Sequence, residues 1–181
     1  MISSGRGVTE AQHSFLLLNY GALTGTNMDN GEYWKLVTSQ FTHVRFLHML
    51  LNVGFIFVLG KTIEKKFGTI SFASIYILSG SVGQFASVTL HPDLVSSGAS
   101  QALCGLAGFL LVFSKQLLAT HRITVIAVAV FMLIQISLDL YFAGYLKAGH
   151  TVGFLSGVFL GLGGLFMPIK ANLADARKQN G

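Results

Sequence analysis

The chain has 181 residues, of which 52% are hydrophobic and only 10% are charged, and its net charge is +5. Soluble domains carry roughly a quarter charged residues, so this composition excludes a soluble globular domain and indicates an integral membrane protein in a lipid bilayer. The single cysteine, Cys104, excludes an intramolecular disulfide and a cysteine-based zinc cage, and no basic, aromatic-interleaved run indicates nucleic acid as a partner.

The first thirty residues contain one coherent apolar piece, Phe15-Leu16-Leu17-Leu18. This segment lacks the features of a signal peptide, and it is too short to span a bilayer, which takes about 20 apolar residues. The following segment, 31–42, is amphipathic and carries Tyr33 and Trp34, which are typical of an interfacial anchor. We therefore expect 1–30 to be an N-terminal segment with the remnant of a first span, and a full apolar span to lie upstream in the natural protein or its close relatives.

Apolar stretches separated by short polar joints make up most of the remaining chain. They predict an all-α, polytopic membrane helix bundle with five spans here and six with an upstream span. The bundle is expected to occupy 31–169 and to be followed by a polar cytoplasmic tail, 170–181. In chain order, the predicted spans A to E are 46–63, 70–90, 100–118, 123–141 and 149–169.

Lysine and arginine are distributed unevenly between the two sides of these spans. Eight of the twelve lie in or next to the A–B joint, in or next to the C–D joint, and in the tail. Because cytoplasmic loops carry the excess of positive residues, these joints are expected in the cytoplasm. The starts of spans C and E then lie near the outer face. We expect a multi-pass protein of a bacterial inner membrane, with its site towards the extracytoplasmic side.

A serine and a histidine lie in the first turns of two predicted helices, each of which has a face of small residues. Ser100 opens span C, and His150 lies at the start of span E, one residue after the first glycine of a stripe that repeats every four residues. Small residues let helices approach closely in lipid, so packing of these faces would bring Ser100 Oγ within hydrogen-bond reach of His150. Taken singly, either residue is also compatible with a purely structural role. The expected packing residues are Gly105, Gly108, Gly153 and Gly157.

Span A adds polar side chains at the same outer level. His48 and Asn52 are four residues apart and share one helical face, and His43 precedes them. Polar groups are expensive in lipid, so this face is expected to point into the protein. If it meets Ser100, His48 and Asn52 would donate to a developing oxyanion. The alternative is that they only hydrogen-bond neighbouring helices.

A metal site is a weaker interpretation of the three histidines His43, His48 and His150. Catalytic zinc sites commonly pair two histidines four apart on a helix with a nearby carboxylate. Here His43 and His48 are five apart, and no acidic residue lies on the same turns of span A. No metal and no cofactor is therefore expected.

The pattern offers no convincing carboxylate partner for His150. Asp139 lies near the outer end of span D, but its spacing does not place it beside the imidazole. We therefore expect His150 to be oriented by packing alone, and the resulting dyad to be a slow catalyst.

Together these residues resemble the rhomboid family of intramembrane serine proteases, over roughly residues 19–168. The resemblance is collective, because the Gly-x-Ser piece alone has little specificity. The stretches that carry it are Gly-Glu-Tyr-Trp-Lys at 31–35, His43 with His48-Met-Leu-Leu-Asn52, Leu-Gly-Lys-Thr-Ile-Glu-Lys-Lys-Phe-Gly at 59–68, Gly-Ala-Ser at 98–100 and His-Thr-Val-Gly-Phe-Leu-Ser-Gly at 150–157.

The resemblance implies a nucleophile at Ser100, a general base at His150 and an oxyanion site formed by His48, Asn52 and the Ser100 backbone amide. It also implies hydrolysis of a peptide bond in or next to the transmembrane helix of a membrane protein substrate, single-pass or other. The alternative is a catalytically inactive relative that binds transmembrane helices. A channel or transporter would need ionisable residues along a path through the bilayer, whereas here they cluster at one face.

Three positions depart from the family pattern. Lys35 follows Trp34 where the family has arginine, and lysine lacks the planar fork of a guanidinium. Gln101 follows the serine where many members have glycine. Cys104 replaces an aromatic residue that often stacks on the catalytic imidazole, so the resemblance leaves the orientation of His150 without that support.

Overall fold

The computed structural model describes residues 10–163. Within this range, the predicted apolar stretches form helices. A 3-10 turn, Ser39–Phe41, follows α3, and a π-helical turn, Ile56–Gly60, joins α4 to α5. The prediction of an all-α membrane helix bundle is confirmed for this part of the chain. The helices are α1 (Glu10–Asn19), α2 (Gly25–Asp29), α3 (Lys35–Thr38), α4 (Phe46–Phe55), α5 (Lys61–Phe67), α6 (Thr69–Leu90), α7 (Ser100–Val112), α8 (Ser114–Thr120), α9 (Arg122–Ala143) and α10 (Ala148–Leu162).

Three of the described helices are long and apolar enough to cross a membrane: Phe46–Phe67, Thr69–Leu90 and Arg122–Ala143. The first of these runs without interruption from α4 through the π turn into α5. The helices α7 and α10 are apolar but shorter over their described lengths. The end of predicted span E and the whole tail 170–181 lie outside the described residues.

Two predicted span boundaries are wrong. The first span does not end at 63 but continues as helix through the charged joint to Phe67, because its terminator is Gly68, whose φ of 93° favours glycine. Span C is not one helix to 118. It breaks at Phe113, whose ring lies 4.9 Å from the Phe67 ring and 5.2 Å from the Phe109 ring, centroid to centroid. Hydropathy is continuous across that break and could not reveal it.

Helix α7 lies at the centre of the bundle. Every residue from Ser100 to Leu110 is buried, as expected for a helix that is covered on all sides. The helices α6 and α10 pack along it, and α9 and the π turn cover further parts of its surface. Ser100, the first residue of α7, therefore enters the interior of the protein.

The backbones of α7 and α10 are in direct contact because glycines line the crossing. A Cβ atom built at Gly157 would overlap the carbonyl oxygen of Gly105, and one at Gly153 would overlap the carbonyl oxygen of Gln101. No side chain fits between these two helices at either position. This close approach is the one that small residues allow in membrane bundles.

The glycines of α7 face neighbours on two sides. A Cβ at Gly108 would overlap the carbonyl oxygen of Phe154 on α10, and one at Gly105 would overlap the hydroxyl oxygen of Ser79 on α6. The four glycines that were expected to be packing residues thus lie at the close contact between α7 and α10. At Gly105, α6 packs against the same region of α7.

The segment before Ser100 is held by the loop region that precedes the first span. Leu23 and Ser96 form an isolated antiparallel bridge, with N–H···O distances of 3.0 and 2.7 Å. The Gly25 amide also donates to the Pro92 carbonyl at 2.9 Å. These main-chain bonds fix one side of the 91–99 loop, which leads directly into α7.

Lys35, the lysine at the family's arginine position, is buried and paired. Its Nζ atom lies 2.8 Å from Glu32 Oε2, donates to the Leu18 carbonyl at 3.4 Å and is 5.5 Å from the centroid of the Trp34 ring. A single ammonium group thereby links the end of α1 to the turn before α3. The rings of Tyr33 and Trp34 are exposed beside it.

Replacement of Gly157 by alanine should destabilise the bundle, because the new Cβ meets a main-chain oxygen that cannot move independently. Overpacking of this kind costs about 1–3 kcal/mol. The matched control is Gly54→Ala in α4, where an added Cβ meets nothing within 4 Å. The control should be neutral or stabilising by up to about 1 kcal/mol, since alanine favours helix over glycine. Thermal unfolding in detergent micelles measures both variants, and equal melting temperatures would contradict the close contact.

Candidate active site

Ser100 and His150 are hydrogen-bonded in the interior of the bundle. The Ser100 Oγ and His150 Nε2 atoms are 2.9 Å apart, and both side chains are buried. Each residue lies in the first turn of its helix, α7 or α10, so the glycine crossing of these helices sets the distance. The juxtaposition expected from the two small-faced helices is therefore present in the structure.

The serine lies below the end of its neighbouring helix. Gln84 Nε2 donates to the Gly98 carbonyl at 3.2 Å, and Gln84 lies six residues before Leu90, the last residue of α6. At 1.5 Å per residue, the loop therefore descends about 9 Å along α6 before α7 begins. Gly98 has a φ of 111°, which favours glycine, and its amide donates to the Ser39 carbonyl at 2.8 Å.

A carboxylate faces the other nitrogen of the imidazole. Asp139 Oδ2 and Oδ1 lie 2.8 and 3.0 Å from His150 Nδ1. The expectation that no carboxylate lies beside His150 is therefore wrong. The turn between α9 and α10, which begins at Gly144 with a φ of 75°, folds the two helix ends together. An acidic side chain within an apolar span needs a polar partner inside the protein. For Asp139, this requirement is the sequence signal that could have indicated its pairing with His150.

The Asp139 carboxylate has two further partners. The Lys147 backbone N–H donates to Oδ2 at 3.1 Å, and Gln135 Nε2 donates to Oδ1 at 3.2 Å. Both Asp139 and Gln135 are buried, with 2% and 8% of their surface exposed. Gln135 could not be identified from the sequence, because its distance from His150 along the chain matches no motif.

Asn52, His43 and His48 form a second polar cluster. Asn52 Nδ2 lies 3.1 Å from His43 Nε2 and 3.3 Å from His48 Nε2. A Cβ built at Gly98 would lie 3.5 Å from His48 Cε1, so the cluster borders the peptide that precedes Ser100. The polar face of the first span thus points into the protein, towards the beginning of α7.

His43 belongs to this cluster as a hydrogen-bond acceptor. Its burial lowers its pKa below the ordinary value of 6.5, although a hydrogen bond with the Phe41 backbone opposes the shift. A neutral ring leaves Nε2 free to accept from Asn52 and from the Ala99 amide, which lies 3.4 Å away. From the sequence, His43 was expected among the polar side chains at the outer level of the first span, and a metal was the weaker interpretation of it. Within residues 10–163, no group of three or more His, Cys, Asp or Glu side chains is arranged to hold a metal ion.

Two departures from the family pattern lie next to the serine. Gln101 Oε1 is 3.2 Å from Ser100 Oγ, a longer contact than the one to His150. Cys104 is fully buried in the core one turn further along α7. Hydrogen bonds to a carboxylate, rather than an aromatic ring from position 104, hold the His150 imidazole.

Comparison with known proteins gives one consistent result. The family model of the Rhomboid domain matches residues 30–165. The chain is 31% identical over 156 residues to "Rhomboid-like protease 3" of Toxoplasma gondii, a match that covers 80% of this chain and 56% of that protein. It is 35% identical over 130 residues to "Putative rhomboid protease YdcA" of Bacillus subtilis (strain 168), which covers 66% of this chain and 65% of that protein.

A third match carries a different name. "Inactive RHOMBOID-like protein 8" of Arabidopsis thaliana is 33% identical over 94 residues, which covers 52% of this chain and 26% of that protein. In all three comparisons the match spans less than two thirds of the relative's own length.

Replacement of Gln84 by leucine should destabilise the segment that leads into α7. The change removes the donor to the buried Gly98 carbonyl, and an unpaired buried polar group costs about 1–3 kcal/mol. The control is Thr89→Ala on the same helix, because that exposed hydroxyl bonds the Phe85 carbonyl of its own helix. Chemical or thermal unfolding should separate the two variants. A Gln84→Leu protein as stable as the Thr89→Ala protein would show that this bond does not hold the loop.

Proposed function

The chain belongs to the rhomboid family, and on that premise we propose that it is an intramembrane serine endopeptidase. It hydrolyses peptide bonds in or near the transmembrane segments of membrane protein substrates. The observation that carries the proposal is the buried 2.9 Å contact between Ser100 Oγ and His150 Nε2. A serine hydroxyl is a weak nucleophile unless an adjacent base accepts its proton.

The first step is attack of Ser100 Oγ on the substrate carbonyl carbon. As the new C–O bond forms, the hydroxyl proton moves to His150 Nε2, and the carbonyl π electrons move onto oxygen. This transfer requires a neutral imidazole that carries its own proton on Nδ1, because only then does Nε2 have a free lone pair. The carboxylate beside Nδ1 supports that tautomer.

The negative charge that develops on the substrate oxygen is stabilised by donors around the start of α7. The Ser100 N–H belongs to the first turn of the helix and has no partner within it, and the helix dipole favours negative charge there. Asn52 and His48, which border the preceding peptide, are the proposed side-chain donors. One Asn52 amide hydrogen turns from its imidazole partner to the oxyanion. Each such donor is typically worth 10²- to 10³-fold in rate.

The reaction is completed in two further transfers. His150 Nε2–H protonates the departing amine, and the C–N bond breaks to leave an ester on Ser100 Oγ. A water molecule, deprotonated by the same Nε2, then attacks the ester carbonyl, and the proton returns to Ser100 as the acid product leaves. Acid and base roles thus alternate on one imidazole.

The depth of Ser100 determines which peptide bonds are accessible. The serine lies about 9 Å below the end of α6, so a substrate must enter the bundle from its outer end or from the bilayer. A helical amide is shielded by its own hydrogen bonds, so the substrate helix unwinds locally before attack. By the distribution of lysine and arginine, this end faces the extracytoplasmic side, as expected for a bacterial inner membrane.

A catalytically inactive protein that binds transmembrane helices is the second candidate. The match to a relative named as inactive is the observation that favours it. Such a protein would bind substrate helices at the same end of the bundle but would show no turnover. Substrate cleavage therefore decides between the two candidates.

Ser100→Ala and His150→Ala should each abolish cleavage, because nucleophile and base act as one unit. The measurement is cleavage of a tagged single-pass membrane protein by the purified protein in liposomes. Ser100→Ala should retain the melting temperature of the unchanged protein within a few degrees, whereas His150→Ala should unfold at a lower temperature because it leaves the buried Asp139 carboxylate without its imidazole partner. Cleavage by Ser100→Ala at the unchanged rate would place the nucleophile elsewhere.

Asn52→Ala and His48→Ala should lower kcat by about 10- to 10³-fold, since each removes a donor to the developing charge. The matched control is His91→Ala, a histidine in the loop before α7 whose ring contacts Tyr145. Its kcat should stay within about twofold of the unchanged protein. If the Asn52 and His48 variants cleave as fast as the control, these residues only pack the first span.

A further inference from the structure

We propose that Asp139 is a positioning residue of this site, which extends the Ser100–His150 pair to a Ser–His–Asp arrangement. Its carboxylate fixes the tautomer and the orientation of the imidazole. The proposal rests on the proposed function, because it assigns a role within that same reaction. It corrects the expectation that the imidazole is oriented by packing alone.

The geometry between the two side chains is that of a charge-assisted hydrogen bond. Both carboxylate oxygens lie within 3.0 Å of His150 Nδ1, and the imidazole is 2.9 Å from the serine hydroxyl on its other side. Serine can donate to Nε2 only if the ring proton is on Nδ1. The carboxylate is an acceptor there, so it favours that tautomer and disfavours the one that cannot accept the serine proton.

The carboxylate itself is held in place by two donors. The Lys147 backbone amide binds Oδ2, and the Gln135 amide binds Oδ1 from one turn earlier on α9. Gln135 Nε2 is also 3.2 Å from His150 Nδ1. Because Nδ1 already donates to Asp139, the Gln135 amide donates to the carboxylate and not to the ring. These contacts fix the carboxylate in both position and rotation.

A purely structural role explains less of this geometry. Lys147 precedes α10, so Asp139 could serve only to bind its amide and fix the start of that helix. That task uses one oxygen and needs no imidazole. The close approach of both oxygens to Nδ1, with only 2% of Asp139 exposed, indicates that the imidazole is the principal partner of the charge.

The carboxylate also has a role during proton transfer. When the Ser100 proton reaches Nε2, the ring becomes an imidazolium cation next to Asp139. The negative charge stabilises this cation in a site from which water is largely excluded, and the carboxylate itself does not take the proton. Loss of the charge should therefore slow the chemical step and leave substrate binding almost unchanged.

The test is Asp139→Asn, which keeps the shape of the side chain and an acceptor oxygen for the Lys147 amide. We expect kcat to fall by about 10²- to 10⁴-fold while KM changes by less than about threefold. The matched control is Thr124→Val on the same helix. It removes a buried 2.8 Å hydrogen bond to Thr62, at a distance of about 22 Å along α9. The control should keep kcat within about twofold.

A second measurement follows the tautomer without using activity. In protein labelled with ¹⁵N-histidine, the His150 signals, identified by their loss in His150→Gln, should show a protonated Nδ1 and an unprotonated Nε2. In Asp139→Asn the proton should move to Nε2 in a substantial fraction of molecules. Two results would overturn the proposal. One is a His150 ring that carries its proton on Nε2 in the protein without substitutions, and the other is an Asp139→Asn protein whose kcat equals that of the protein without substitutions.

The two proposals fail in different ways. If the unchanged protein neither cleaves substrate nor reacts with a fluorophosphonate probe at Ser100, the proposed function is wrong, and the ¹⁵N measurement still decides whether Asp139 sets the imidazole tautomer. If the unchanged protein cleaves and Asp139→Asn cleaves as fast as Thr124→Val, only the role of Asp139 is wrong.

Discussion

The contact between the backbones of α7 and α10 is the constraint from which the site follows. Main-chain atoms of the two helices touch at Gly153 and Gly157, where any side chain would push the helices apart. Ser100 and His150 each lie in the first turn of one of these helices, so their 2.9 Å separation depends on that crossing. In lipid, where no hydrophobic force drives helices together, such close packing supplies much of their association.

Buried polar groups around the serine are arranged in two sets that meet at the start of α7. The imidazole and carboxylate of His150 and Asp139 form one set, which is hydrogen-bonded to the Ser100 hydroxyl through His150 Nε2. Asn52 and its two histidine neighbours form the other, next to the peptide before Ser100. Polar side chains in an apolar bundle are costly unless they are paired, so both sets are held by hydrogen bonds within the protein. The Ser100 hydroxyl, at the start of α7, thus lies next to the first set, and the peptide before it borders the second.

Periodicity along each helix predicted much of this arrangement. Spacings of three and four residues identified the small faces of α7 and α10 and the polar face that carries His48 and Asn52, because residues at those spacings share a face. The same spacings do not show which helix lies opposite a face. Asp139 was known to lie near the outer end of its helix, but only the turn at Gly144 brings it to His150. The break at Phe113, where the ring packs against those of Phe67 and Phe109, leaves no mark in hydropathy.

The central claim is that Ser100 is a nucleophile activated by His150. The most direct measurement is reaction of the purified protein, in a lipid bilayer, with a fluorophosphonate probe, followed by mass spectrometry to locate the adduct. We expect a single adduct on Ser100, formed by the unchanged protein and lost in His150→Ala. An adduct on another residue, or labelling of Ser100 that is equally fast without His150, would contradict it.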